Sequence, residues 1–295
     1  MSLRTTVDFL LHDWLKVSEL NQRERFADHS RETFDAVLDT CERIARDKFA
    51  PFNRTVDVQE PAFDGEKVIL PECTQDAHNA YVASGMLSAA QDYDIGGMQL
   101  PYTIEAAANA FFACGSVSIG AGMLTVGNAN LLMAHGTELQ KKVFALNEFS
   151  GRWSGTMCLS EPQAGSSLSD VMTRATPDGS AYQLDSLGAR YRLKGHKMWI
   201  SAGEHELTEN IIHLVLAKIP DANGQLVLLP WADGVGVPYP GFKGYRDLLH
   251  WSYAHVNLGA WITQDTVGII EWGGSDEHNK MRRGLMAFGQ VTPPA

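Results

Sequence analysis

Cysteine is scarce in this sequence, and the cysteines that occur are far apart. There are four among 295 residues, at Cys41, Cys73, Cys114 and Cys158. Their spacing fits no zinc-binding pattern. We therefore expect reduced, buried thiols in a cytoplasmic protein and no bound metal ion.

Long apolar runs and an excess of positive charge are also missing. No run of about 18 apolar residues occurs, so the sequence predicts no membrane span, and the N-terminus has no apolar signal-peptide core. The chain has 24 Lys and Arg residues against 35 Asp and Glu residues, a formal net charge of −11. This charge balance gives no general reason to bind nucleic acid or an anionic membrane surface.

The first half of the sequence contains helical patterns. Between residues 30 and 49, apolar residues recur in steps of three and four, which predicts one amphipathic helix. Further helices are predicted from about Thr103 and over residues 116–135. Thr137 and Gln140 have the spacing of a capping box, which predicts another helix start.

After Gly151 the pattern changes to short runs of β-formers between turn residues. The predicted strands cover residues 153–159, 171–175, 182–185, 191–194, 198–201 and 211–218. We therefore predict an α+β protein: an all-helical domain over 1–150, then an antiparallel β-sandwich or barrel over 151–225. Residues 226–295 show weak periodicity and are expected to form an irregular tail. One hypothesis for this tail is a reading frame altered beyond about residue 226.

The strand predicted over 153–159 leads into a segment that could bind a ligand. The strand should end at Leu159, and the chain should turn at Pro162 and Gly165. We expect unusual backbone angles at Gly165. Unpaired N–H groups and the hydroxyls of Ser160 and Ser166 could then bind a flat polar ring or a thioester tail. The alternative is a tight turn with serine caps.

A second segment covers residues 193–203. Alternation along a strand would put Trp199 and Ser201 on one face. An indole beside a hydroxyl can cover a planar ring and bond its polar edge. The alternative is a tryptophan that packs in the protein core.

Together these two segments resemble the flavin-site strands of the acyl-CoA dehydrogenase family. The matching motifs are Leu-Ser-Glu-Pro-Gln-Ala-Gly-Ser-Ser at 159–167 and Gly-His-Lys-Met-Trp-Ile-Ser-Ala-Gly at 195–203. The resemblance extends over residues 75–220. Residues 5–59 are similar to the N-terminal extension of long bacterial members, some of which act on methylthiopropanoyl-CoA.

The resemblance implies FAD as cofactor and a role for each matched residue. Implied FAD contacts are the backbone of Met157 and Leu159, the Ser160 hydroxyl, the Trp199 ring and the Ser201 hydroxyl. Ser166 is implied at the tail of the acyl-CoA substrate. The implied partners are an electron-transfer flavoprotein or similar acceptor and further copies of the chain.

The implied reaction is an α,β-dehydrogenation of an acyl-CoA thioester, a step of fatty acid metabolism. A carboxylate removes the Cα proton while hydride leaves Cβ for flavin N5. No residue is assigned as this base: Glu161, Glu204 and Glu206 are considered and declined. The family's C-terminal helical domain, which carries the base, is not recognisable in residues 226–295, so we expect a truncated chain. The alternatives are a non-catalytic binding or oligomerisation module and a flavin oxidase.

Overall fold

The structure is a computed structural model that describes residues 2–119, 122–220 and 226–227. The predicted tail over 226–295 therefore lies outside the described residues, except for residues 226 and 227. The chain divides into two compact units, one formed by Met1–Ala62 with Leu70–Met123 and the other by Phe63–Ile69 with Leu124–Ala295. The sequence-based domain boundaries at residues 150 and 225 stay predictions.

The first unit is helical. Its α-helices are α1 (Leu3–Asp8), α2 (Arg31–Ile44), α3 (Asn53–Val58), α4 (Cys73–Ala83) and α5 (Tyr102–Ser116). The predicted amphipathic helix is confirmed as α2, because the Ser30 side chain caps its first turn and its apolar face buries Phe34 and Leu38. Its end continues into a wider π-type turn over Ala45–Phe49.

Helices also form the start of the second unit. They are α6 (Gly122–His135), which belongs to this unit from residue 124, α7 (Glu138–Gln140) and α8 (Leu146–Phe149). The predicted capping box is confirmed: Thr137 N donates to Gln140 Oε1 at 2.8 Å, and Gln140 N donates to Thr137 Oγ1 at 3.2 Å. A core of Leu132, Phe144 and Leu214 joins these helices to the strands that follow.

The described strands are short. They are β1 (Ala62–Phe63), β2 (Val68–Ile69), β3 (Trp153–Cys158), β4 (Arg174–Pro177), β5 (Tyr191–Lys194), β6 (Asn210–Val215), β7 (Ile219–Pro220) and β8 (Leu226–Val227). Within the described ranges they pair two by two: β1 with β2, β3 with β6, β4 with β5, and β7 with β8. The α+β class is confirmed, whereas the sandwich or barrel stays a prediction.

Three expectations about the strands are wrong. The strands β3 and β6 run parallel rather than antiparallel, because distant strands joined by a long crossover need not alternate in direction as hairpin strands do. Residues 182–185 form a turn and irregular chain. Residues 198–201 form no strand, because Trp199 has φ of 61°, which extended backbone excludes.

In the ranges that the structure describes, no helix combines the length and the apolar character needed to cross a bilayer.

Candidate functional site

The parallel strands β3 and β6 are fixed to helix α6 by one buried amide. The Nδ2 group of Asn128 donates to the carbonyl oxygens of Thr156 at 3.2 Å and Ile212 at 2.8 Å. Asn128 is fully buried. Since one side chain binds a carbonyl of each strand, it stabilises their pairing where β3 approaches the candidate site.

The opposite edge of β3 carries unpaired backbone groups. In the parallel ladder Cys158 pairs with Val215, and the Leu216 N–H donates to the Cys158 carbonyl at 3.1 Å. Alternate residues of a strand direct their backbone groups to opposite edges. The backbone N–H and C=O of Met157 and the N–H of Leu159 therefore face away from β6, and no hydrogen bond joins them to another described residue.

A closed turn follows β3. The Glu161 N–H donates to the Ala164 carbonyl at 2.8 Å, and the Ala164 N–H donates back at 3.1 Å. Ser160, just before this turn, is half-buried, whereas Ser166, after it, is exposed. The turn at Pro162 was predicted, but Gly165 does not have the unusual backbone angles that we expected of it.

The structure brings the two sequence segments together. The Met198 N–H donates to the Ser160 carbonyl at 3.1 Å, and Lys197 Nζ donates to the Leu159 carbonyl at 2.9 Å. These two bonds fasten residues 197–198 to the chain leaving β3. The segments that carry the two motifs are therefore neighbours, as the sequence hypothesis requires.

Trp199 is exposed and held in an uncommon conformation. The residue is 83% exposed, and its φ of 61° lies in the left-handed region. Bulky residues rarely adopt this region, and such outliers cluster at ligand sites. Exposure excludes the alternative of a core tryptophan. Ser201, which follows two residues later, is exposed as well.

Sequence reasoning missed the ion pair of Lys197 and Glu161. The Nζ atom of Lys197 lies 2.8 Å from Glu161 Oε1, with side-chain exposures of 0% and 2%. The available signal for Lys197 was its place in the second matched motif, at 195–203. Glu161 likewise lies in the first matched motif, but nothing in the sequence indicated that it pairs with a residue 36 positions away.

The charge of Glu161 is fully engaged by hydrogen bonds. Its carboxylate accepts from the backbone N–H groups of Met172 at 2.6 Å and Thr173 at 3.0 Å, and from Gln163 Nε2 at 2.7 Å. Burial opposes its ionisation, but the hydrogen bonds from Lys197 and Thr173 outweigh this and lower the pKa of Glu161 to about 2. The carboxylate is therefore a structural anchor, which agrees with declining it as a base.

The two other acids that we declined also have partners. Glu204 Oε2 accepts from the Val68 N–H at 2.6 Å, and Glu206 Oε2 lies 2.5 Å from Lys67 Nζ. Burial raises the pKa of Glu204. Both acids thus bind the short β1–β2 segment, and neither is a free base.

One cluster in the first unit has the spacing of a metal site. Asp8, His12 and Asp35 place one potential ligand atom each within 4.8 Å of the others. However, the guanidinium of Arg4 lies 2.7 Å from Asp8 and 3.7 Å from Asp35. Because a protein cation already neutralises these carboxylates, we assign no metal ion to them.

The chain is similar to several acyl-CoA dehydrogenases, although no family model matches it. It is 35% identical over 215 residues to the 3-methylmercaptopropionyl-CoA dehydrogenase of Ruegeria pomeroyi, a match that covers 72% of the chain and 34% of that relative. It is 31% identical over 271 residues to a butyryl-CoA dehydrogenase of Syntrophomonas wolfei, covering 89% of the chain and 40% of that relative.

A solved structure shares the fold. The acyl-CoA dehydrogenase of Bacillus anthracis, solved in complex with FAD, superposes with a TM-score of 0.50 at 22% identity, covering 65% of this chain and 29% of the other. The chain thus spans well under half the length of the relatives that it matches. From the two motifs and these similarities together, we conclude that the chain belongs to the acyl-CoA dehydrogenase family.

Proposed function

We propose that this chain binds FAD and serves the α,β-dehydrogenation of an acyl-CoA thioester. The observation that carries this proposal is Trp199, an exposed indole in a strained conformation. Its neighbour Met198 is hydrogen-bonded to Ser160 at the end of β3. An exposed aromatic side chain next to unpaired backbone groups is a combination that a flat, polar-edged ring can use.

The residues present fit an isoalloxazine ring. The unpaired N–H groups of Met157 and Leu159 can donate to the polar edge of the ring, with the Ser160 hydroxyl beside them. The Trp199 indole can cover one face, and the exposed Ser201 hydroxyl can bond near the reactive nitrogen. The FAD complex of the Bacillus anthracis relative supports the same cofactor.

When bound, FAD would accept the hydride that leaves the β-carbon of the substrate. The part of this chain is to orient the ring and substrate and to keep polar groups paired around them. Ser166, exposed beyond the turn, is proposed to contact the acyl-CoA tail. The base for the α-proton is unassigned among the described acids near the site, since Glu161, Glu204 and Glu206 are all engaged.

The substrate is proposed to be a short acyl-CoA. This choice follows the names of the two relatives, a 3-methylmercaptopropionyl-CoA dehydrogenase and a butyryl-CoA dehydrogenase. We further propose that electrons leave to an electron-transfer flavoprotein or similar acceptor, and that copies of the chain assemble into a homo-oligomer.

The proposal is tested by the colour of the purified chain. We expect the 295-residue chain to bind FAD and show flavin absorbance, and a short acyl-CoA to bleach it under anaerobic conditions. Free coenzyme A at the same concentration is the control and should leave the spectrum unchanged. A colourless, folded protein would favour the non-catalytic binding module, and rapid peroxide formation with substrate would favour an oxidase.

A further inference from the structure

A residue of a buried ion pair lies two positions before the exposed tryptophan of the candidate site. Lys197 is fully buried, and its Nζ atom donates to Glu161 Oε1 at 2.8 Å and to the Leu159 carbonyl at 2.9 Å. Trp199 is two residues further along the chain. We call residues 197–203 the Trp199 segment. Lys197 therefore fixes the start of this segment against the end of β3.

Glu161 extends this connection to a third piece of chain. Its carboxylate accepts from the backbone N–H groups of Met172 and Thr173 just before β4. One ion pair thus joins the turn after β3, the entry to β4 and the Trp199 segment.

Stability alone is a weak reason for such a pair. Removing two charges from water costs about as much as their attraction returns, and well-packed apolar side chains often stabilise as well or better. A strained residue such as Trp199, in contrast, keeps its conformation only if the surrounding structure over-determines it. The directional bonds of Lys197 and Glu161 supply that constraint, which apolar packing does not.

We propose that Lys197 and Glu161 are positioning residues that hold Trp199 in its exposed, left-handed conformation beside the end of β3. The inference rests on the proposed flavin site, because Trp199 is the residue through which the pair would act on the ring. Without Lys197, the bond to the Leu159 carbonyl is lost and the buried carboxylate of Glu161 has no counter-ion. The Trp199 segment would then relax toward an ordinary backbone conformation.

The first experiment measures FAD affinity in a double-mutant cycle of Lys197→Met and Trp199→Ala. We expect Lys197→Met to weaken FAD binding roughly tenfold in the wild-type background. It should cause little further loss in the Trp199→Ala background, because a residue that acts through another one is not additive with it. Lys194→Met, at an exposed lysine of β5, is the matched control and should bind as wild type. Additive losses would overturn action through Trp199.

The second experiment needs no flavin. The chain is labelled with 5-fluorotryptophan, and the Trp199 resonance is assigned by its absence in Trp199→Phe. We expect Lys197→Met and Glu161→Gln to shift or broaden this ¹⁹F resonance, whereas Lys194→Met leaves it in place. The double variant Glu161→Gln/Lys197→Met removes both charges, so it answers the question even if one unpaired charge prevents folding.

The outcomes separate this inference from the proposed function. An unchanged Trp199 resonance in Lys197→Met and in the double variant would overturn the positioning role, whatever the FAD affinity. If the resonance moves but the wild-type chain does not bind FAD, the positioning role of the pair stands and the flavin site is refuted.

Discussion

The α-carbon of Gly195 packs directly against the side chain of Thr173. A β-carbon at residue 195 would lie 2.0 Å from Thr173 Oγ1 and 2.7 Å from its α-carbon. Thr173 cannot easily retreat, since its N–H is bound to Glu161. We expect Gly195→Ala to lower the free energy of unfolding by about 1–3 kcal/mol, measured by urea denaturation, and to weaken FAD binding.

Gly165→Ala is the matched control for this substitution. A β-carbon at residue 165 meets no atom within 4 Å, and its φ lies outside the left-handed region. We therefore expect Gly165→Ala to unfold as the wild type does, contrary to the sequence-based argument about this glycine. Equal stability of the two variants would show that the contact of Gly195 with Thr173 is not the constraint described.

Local signals in the sequence predicted the local structure. The capping box of Thr137 and Gln140 and the helix after Ser30 formed as expected, because their partners are three or four residues away. The strand β5 also formed at the predicted residues. The secondary structure of such short segments is determined mostly by neighbouring residues.

Features that depend on distant partners were not predictable. The parallel register of Thr156 with His213 follows from a long crossover. The bond of Lys197 to Glu161 joins the two motifs, but neither motif indicates which side chains pair. The alternation around Trp199 predicted a strand but could not indicate its positive φ. The motifs therefore indicated which two segments to compare, and the structure was needed to show how Trp199 and Lys197 are held.

Glu148 makes the stability of the second unit depend on pH. Its side chain is fully buried, and neither carboxylate oxygen has a hydrogen-bond partner among the described residues. Burial raises the pKa of Glu148 well above its usual range. The folded state then keeps a proton that the unfolded chain releases above about pH 4.3, so the free energy of unfolding should fall as pH rises.

The test is Glu148→Gln, which removes the titrating group. Burial also raises the pKa of Glu105 to about 7, so below that pH Glu105 too makes the free energy of unfolding fall as pH rises. We therefore compare the proteins between pH 7 and 9. The variant should be more stable than wild type there and should lose less stability with rising pH. Glu138→Gln, at a side chain that is 90% exposed, should show the same dependence of the free energy of unfolding on pH as wild type. If this dependence were also the same in Glu148→Gln and wild type, Glu148 would not be the titrating group.

The strained backbone of Trp199, rather than its ring, should lower the free energy of unfolding. At a φ of 61°, glycine avoids the steric penalty that any β-carbon meets. We expect the Trp199→Gly variant to be more stable than the Trp199→Ala variant, with a free energy of unfolding higher by up to about 1 kcal/mol. The order should reverse at Trp14, which ends the helical turn Phe9–Trp14 and is also exposed, because glycine weakens helices. Thermal or urea unfolding of the four variants decides the matter; the same order at both positions would count against strain at Trp199.

We propose that the Trp199 segment and the end of β3 form one side of a flavin site. Fluorescence titration of the chain with FAD tests it most directly, using wild type, Trp199→Ala and, as a control for an exposed indole, Trp14→Ala. We expect wild type and Trp14→Ala to bind one FAD with equal affinity, and Trp199→Ala to bind roughly tenfold or more weakly, since stacking of a flat ring on an aromatic side chain is worth about 1–3 kcal/mol. Absence of FAD binding by the wild-type chain, or equal binding by Trp199→Ala, would contradict the claim.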